Sequence, residues 1–351
     1  MKPGPGRRQG KRLDLKNGRV EMFHGAGGRA MADLIDLMFR SAFSNELLDA
    51  GNDQATFELP PGRVVMTTDS YVISPLFFPG GDIGSLAVHG TINDLAMGGA
   101  VPKYLTAGFI IEEGFPLSDL DRIAQGMASA ANEAGVSIVT GDTKVVERGK
   151  GDGVFINTAG VGVAPADLSI SGELARPGDR IIVSGTIGDH GVAIMSHRQG
   201  LQFETTIESD SASLAELVQA ITATAGNSVH VLRDPTRGGL AATLNEIAQQ
   251  SGVGMLLEET LLPIREEVRG ACDLLGLDPL NVANEGKLIA IVSRDAAPEV
   301  LKAMREINTG TDAAIIGEVT EDPMRLVRMQ TGVGGERVVD WLHGEQLPRI
   351  C

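Results

Sequence analysis

Seven aspartates stand beside glycine or at the ends of apolar runs: Asp53 (GNDQA), Asp69 (TTDS), Asp82 (PGGDIG), Asp94 (TINDLA), Asp142 (TGDTK), Asp189 (TIGDHG) and Asp234 (RDPTRGG). One such aspartate is ordinarily a turn or cap residue. A whole set would repel itself unless cations sat among the carboxylates. Hard oxygen ligands on several loops suit Mg²⁺, which is usually held by a few carboxylates together with substrate phosphates. Glycine turns supply the complementary feature. HGAGG (24–28), PGGDIG (79–84), SGTIGDHG (184–191) and TRGGL (236–240) allow backbone N–H groups to converge on an anion. The P-loop pattern is absent, and GVGVAP (160–165) and GVGGER (332–337) fail the dinucleotide pattern. A nucleotide would therefore sit in neither of those two turns.

The second chemical feature is the end of the chain. The sequence has two cysteines, and Cys351 is the last residue. A thiol on a tether can receive a small group in one place and present it in another. From about Leu342 onward the reach is at most about 30–35 Å, enough to move between solvent and a cleft. Pro348 stiffens the tip, and Arg349 is expected to pair with a phosphate or an acidic wall. The α-carboxylate is expected to hold the thiol pKa up, with Arg349 opposing it. Cys272, in GACDLLGLD, reads as a buried small hydrophobe. No His/Cys cluster has zinc spacing. His89 and His190 read as structural.

Elements must position these groups. Strands are expected over 63–72, 103–113, 136–144, 154–164, 253–259, 287–293 and 313–319, the third running into a polar turn at GDTK. Helices are expected over 82–100, 118–135 with Ser118 as N-cap, 211–226, 238–252 and 296–308. Residues 176–195 read as turn, strand, glycine turn and helix. The fold class is α/β, of α+β type, in two domains: 20–165 and 166–340, with a flexible tail over 341–351 and a disordered basic arm over 1–19. The chain has 351 residues and a formal charge of −16. The arm holds seven Lys/Arg against Asp14 alone, so the remainder carries −22. So acidic a body argues against nucleic-acid and anionic-membrane binding. No apolar run is long enough for a membrane span, and with no disulfide framework a reduced, cytoplasmic location is expected.

HGAGG, the long stretch 67–100, VTGDTKVVERG (139–149), SGTIGDHG, LRDPTRGGL (232–240), ANEGKL (283–288) and the terminal PRIC resemble the carbamoyl dehydratases of hydrogenase maturation. These belong to an ATP-binding superfamily with aminoimidazole-ribonucleotide synthetase, selenophosphate synthetase and thiamine-phosphate kinase. The resemblance covers nearly all of residues 20–351. It implies a synthetase-like fold whose N-terminal mixed sheet pairs into a homodimer, with nucleotide near the interface. A partner carbamoyltransferase would load Cys351 with a carbamoyl group. ATP and Mg²⁺ would drive its dehydration to a thiocyanate, and an iron-carrying maturation scaffold would take the cyanide for [NiFe]-hydrogenase.

By the same resemblance Asp69, Asp82, Asp94, Asp142 and Asp234 line the Mg²⁺–ATP phosphates, with Asn93, Gly81 and Gly141 beside them. Asp53, Asp69, Asp94, Asp142 and Asp234 are the metal candidates. His24 touches phosphate or substrate. Glu285 is the candidate base, and Lys144 either neutralises phosphate or steers the carbamoyl oxygen. Two alternatives remain at this point: another phosphoryl transfer of the superfamily, or a non-catalytic thiol carrier. Selenophosphate synthetases usually carry Cys or Sec near the N-terminal glycine loop, where this chain has His24.

Overall fold

A computed structural model of the protein describes residues 13–201, 207–342, 344 and 347–351. Most of the expected basic arm, 1–12, lies outside the described residues. Residues 13–19 are not a solvated arm. Leu13 and Leu15 pack on the N-terminal core, Arg19 bridges Pro116, and its guanidinium donates to the Gly114 carbonyl at 2.7 Å.

The N-terminal domain opens with the short helices α1 (Arg29–Leu34), α2 (Ser41–Phe43) and α3 (Glu46–Asp49). It then builds a four-stranded sheet from β1 (Arg63–Tyr71), β4 (Val101–Glu112), β5 (Ser137–Val146) and β6 (Val154–Ala164). Between β1 and β4 lie a hairpin of β2 (Phe77–Phe78) and β3 (Gly81–Asp82) and the helix α4 (Ile83–Met97). Helix α5 (Leu117–Glu133) joins β4 to β5. The sheet order is β1-β6-β4-β5, with only β4 and β5 parallel.

Alternation sets the two faces of this sheet. Leu105, Ala107, Phe109 and Ile111 of β4 turn inward against α4 and α5. The opposite face is uncovered, leaving Val64 62% and Met66 70% exposed, and Ile110 half-exposed. Asp82 starts α4 through a capping box with Ser85, and Gly99 at φ +72° lies just past its end. Twelve residues of α4 are buried, on all sides, because it lies between the two domains: Ala96 and Met97 pack into the core of the second one. Two local expectations fail. Pro116, not Ser118, occupies the N-cap of α5. GDTK is not a turn either, because β-branched Thr143, Val145 and Val146 carry β5 straight through it.

The C-terminal domain is a seven-stranded sheet of β7 (Arg180–Val183), β8 (Val229–Arg233), β9 (Gly254–Glu258), β10 (Ile289–Val292), β11 (Ala314–Thr320), β12 (Val327–Gln330) and β13 (Glu336–Val338). Its order is β13-β12-β9-β11-β7-β10-β8. Between these strands run α6 (Asp189–Gln199), α7 (Ala215–Ala225), α8 (Gly239–Ser251), α9 (Glu266–Leu275) and α10 (Ala297–Arg305). Ile181, Val183, Ile289 and Ile291 face α8, while Ile182, Ala290 and Val292 face α7 and α10. Among the described residues, no helix is long and apolar enough to cross a membrane.

The tail, expected to be flexible, is docked. Ile350 is buried in the N-terminal core beside Ile194 of α6. Burying one isoleucine side chain contributes about 1.5–3 kcal/mol.

Candidate active site

Two short segments meet at the domain junction. Pro235 follows β8 and stiffens the turn that carries Asp234 and Arg237 into α8. The ANEGK segment before β10 carries Glu285 and is fixed by hydrogen bonds on every side. The Asn93 side chain of α4 donates to the Glu285 carbonyl at 3.1 Å, and the Glu285 N–H donates to Asp210 at 3.0 Å. Asn284 accepts from the Gly188 N–H and donates to the Pro235 carbonyl. A Cβ at Gly286 would fall 1.7 Å from the Asp210 carbonyl, so only glycine fits there.

Asp69, Asp94, Asp234 and Glu285 form one electrostatically coupled set. Glu285 is 3% exposed, and its Oε1 has no hydrogen-bond partner. Burial and then the Asp234, Asp210, Asp69 and Asp94 charges push its carboxyl well above the usual range. Burial raises Asp234 to about 7, helped by Asp94 and opposed by Arg233. Asp94 is raised by burial, although Thr67 donates to it at 2.8 Å. Arg233, Arg237, Asp94, Asp234 and Thr67 line one open cleft with a cavity volume of about 600 Å³, within the usual range for a ligand site. Cys351 belongs to the same set. Its thiol is pushed up to about 12, first by burial and then by Glu285 and Asp69, with Arg237 opposing. The cause is therefore the site, and not the balance of α-carboxylate against Arg349 expected from sequence. Arg349 instead pairs with Asp152.

The other sequence candidates lie elsewhere. Asp142 and Lys144, two apart on β5, share the uncovered face and form an exposed ion pair at 2.6 Å. That pair lowers the Asp142 carboxyl. Asp69 pairs with Thr158, which pairs with Ala107, which pairs with Gly141. Asp142 is thus about 14 Å away across three strand spacings and on the other face. Asp53, Gly141 and Asp142 line a second cavity beneath α1–α3. Gly141 is mid-strand, where a Cβ would meet the Ala107 carbonyl at 2.3 Å. Asp82 is occupied by capping α4, and Gly81 lies in the β2–β3 hairpin against Phe78. His24 is buried and accepts from the Glu21 N–H at 2.9 Å. Asn93 holds backbone: it donates to Ala212 and Glu285 and accepts from Leu214.

The structure also brings in residues to which the sequence reading gave no role. Asp210 orders the Glu285 segment and pairs with Lys287 at 3.2 Å. Arg233 and Arg237 flank Asp234 within LRDPTRGGL, so two cations beside a candidate ligand were a visible signal. His190 and Arg198 of α6 hold the tail. Their contacts span 150 residues and more, and nothing local signals them. Among the described residues, no group of three or more His, Cys, Asp or Glu side chains stands ready-made for a metal. The donor set nonetheless suits one. It has hard oxygens only, mutually repelling carboxylates and an unpartnered buried Glu285 oxygen. Mg²⁺ typically needs only one or two carboxylates beside phosphate.

Comparison with known proteins agrees with this architecture. Residues 51–164 match the AIR synthase related protein N-terminal domain, and 176–328 match its C-terminal domain. The carbamoyl dehydratase HypE of Azotobacter vinelandii is 67% identical over 340 residues, covering 97% of this chain and 99% of that protein. A crystal structure of hydrogenase maturation protein HypE in complex with ATP superposes with a TM-score of 0.91 at 51% identity, covering 94% of this chain and 99% of that one. HypE in a HypE–HypF complex superposes at 0.78 and 51% identity, covering 88% and 99%. With two AIR synthase related domains and full-length identity of this order, the chain belongs to the HypE carbamoyl dehydratase family.

Proposed function

We propose that this protein dehydrates a carbamoyl group carried on Cys351, converting –S–C(=O)NH₂ to –S–C≡N as ATP becomes ADP and phosphate. The observation that carries this reading is the position of the terminal thiol. It is seated in the domain junction, coupled to Glu285, Asp69 and Arg237. When bound, ATP with Mg²⁺ supplies the phosphoryl group that makes the amide oxygen a leaving group, and the metal offsets the phosphate charge. Asp69, Asp94 and Asp234 are the residues that would hold the metal, with Arg233 and Arg237 on the phosphates. Glu285 takes the amide protons through its unpartnered Oε1. Cys351 is half-buried at the domain junction, which limits the water that reaches the reacting carbon.

A carbamoyltransferase of the HypF kind loads the thiol, and an iron-carrying scaffold of hydrogenase maturation in the cytoplasm receives the cyanide. The test is mass spectrometry of the C-terminal peptide after loading and addition of ATP. The expected record is gain of one carbamoyl group, then loss of one water. A carbamoyl group that persists under ATP would leave only a carrier.

The same reading includes a homodimer. Val64, Met66 and Ile110 leave the outer sheet face apolar and exposed, and the candidate site residues are divided between that face and the domain junction. A second copy covering the face would bring its Asp142 and Lys144 against the first copy's sheet. Met66→Asp is expected to turn the dimer into a monomer by light scattering and to lower dehydration at least tenfold. An active monomer would contradict the arrangement.

A further inference from the structure

The docked tail is gripped through its main chain. Three successive carbonyls and then the terminal carboxylate accept hydrogen bonds. Pro348 and Arg349 accept from the Arg198 guanidinium at 2.8 and 2.9 Å. Ile350 is bonded to His190 Nε2 at 2.8 Å. Cys351 accepts from the Val72 N–H at 3.2 Å. The Ser74 N–H also donates to Arg349, and Arg349 Nε donates to the Val72 carbonyl. The strand-like edge at 72–74 belongs to one domain and α6 to the other, so the tail lies between both.

The chemistry of His190 is fixed by its partners. A carbonyl only accepts, so Nε2 carries the proton; burial lowers the ring's pKa and keeps it neutral, so Nδ1 accepts from the Ser209 hydroxyl at 2.7 Å. Ser209 Oγ in turn accepts from the Ser211 N–H at 3.1 Å. The ring is fully buried and stands edge-on to Phe78, with centroids 5.8 Å apart. Arg198 is anchored separately, its Nε donating to the Ser74 carbonyl at 2.9 Å. Both side chains thus have anchors that do not involve the tail, and both point donors at the peptide groups just before the sulfur.

We propose that His190 and Arg198 are positioning residues for the dehydration: by holding the carbonyls of Pro348, Arg349 and Ile350 they fix the Cys351 sulfur, and whatever it carries, in the domain junction against the core that includes Ala283 of the Glu285 segment. The proposal rests on the carrier reading of Cys351. Because the grip falls on carbonyls, it is indifferent to the group on sulfur, so loaded and unloaded tails dock alike.

The test uses the full-length protein and two readouts. The first is alkylation of Cys351 by iodoacetamide at pH 8, followed on the C-terminal peptide, which requires neither ATP nor a partner. His190→Ala and Arg198→Ala are each expected to speed it about tenfold. The second is single-turnover dehydration of carbamoylated protein, expected to slow about 10- to 100-fold, with ATP affinity within about twofold. His190→Gln, which keeps an N–H donor, is expected to restore most of both, a rescue that a purely packing role would not give. Unchanged alkylation and dehydration in both alanine variants would overturn the proposal, as would a folded Gln variant no better than Ala. If His190→Ala does not fold, Arg198→Ala decides alone, since Arg198 is only partly buried. If wild-type protein dehydrates nothing, the functional reading fails while the alkylation readout still decides the dock.

Discussion

Glu285→Gln is expected to lower single-turnover dehydration by about 10²–10⁴-fold while leaving ATP affinity within a few-fold. That range is what a positioned general base contributes, and glutamine keeps the shape and the backbone bonds from Asn93 and to Asp210. Burial and the Asp234, Asp210, Asp69 and Asp94 charges hold the Glu285 carboxyl protonated well above its ordinary range. A base must be ionised, so activity is expected to fall as pH drops, and cations among the neighbouring carboxylates bring Glu285 into range. The same shift fixes a stability effect. An acid whose folded pKa is raised contributes stability below its unfolded value, near 4.5, and loses it as pH rises towards the folded value. Glu285→Gln is therefore expected to melt above wild type at pH 8, with the difference shrinking towards pH 5. Full retention of the dehydration rate by the Gln variant would remove Glu285 from the chemistry.

Much of this site was legible because its signals are local. Asp69 closes a β-branched run, Asp234 follows an apolar strand into a glycine turn, and Glu285 sits between Asn284 and an obligatory Gly286. What failed were assignments requiring knowledge of a face or a distant partner. GDTK reads as a turn by composition, yet Thr143 and its β-branched successors extend the strand, and period two then sends Asp142 and Lys144 outward. Asp82 was drawn into the acidic lining although its spacing from Ser85 is that of a capping box, the simpler use of a carboxylate before a helix. His190 reads as structural in sequence because its partners, Ser209 and Ile350, are distant and nothing local points to them. The strands β1, β4, β5 and β6 and the helices α4, α5 and α8 follow from pattern, whereas the short β2–β3 hairpin does not. The docking of the last four residues does not, because its donors come from residues 72–74 and α6, more than 140 positions upstream.

Cys351→Ala is expected to bind ATP as wild type does and to form no thiocyanate at all, since no other thiol can take its place: Cys272 is fully buried in α9, where burial pushes its pKa to about 11. The docked Cys351 thiol is itself held near 12, so at neutral pH the seated sulfur is almost never a thiolate. Only the thiolate is nucleophilic. Seating therefore disfavours loading: a carbamoyl donor is expected to meet the tail while it is undocked, and the neutral thiocarbamate can return without the desolvation cost a thiolate would carry. Iodoacetamide should reveal this in wild-type protein. At pH 8 Cys351 is expected to react about ten- to a hundredfold more slowly than a free peptide of the same ten terminal residues, the residual rate measuring how often the tail opens. Raising the pH from 9 towards 12 should weaken docking, because the thiolate it favours belongs to the undocked state. Equal rates for protein and peptide would mean that the sulfur is not seated in the domain junction, and the site would then lack its substrate.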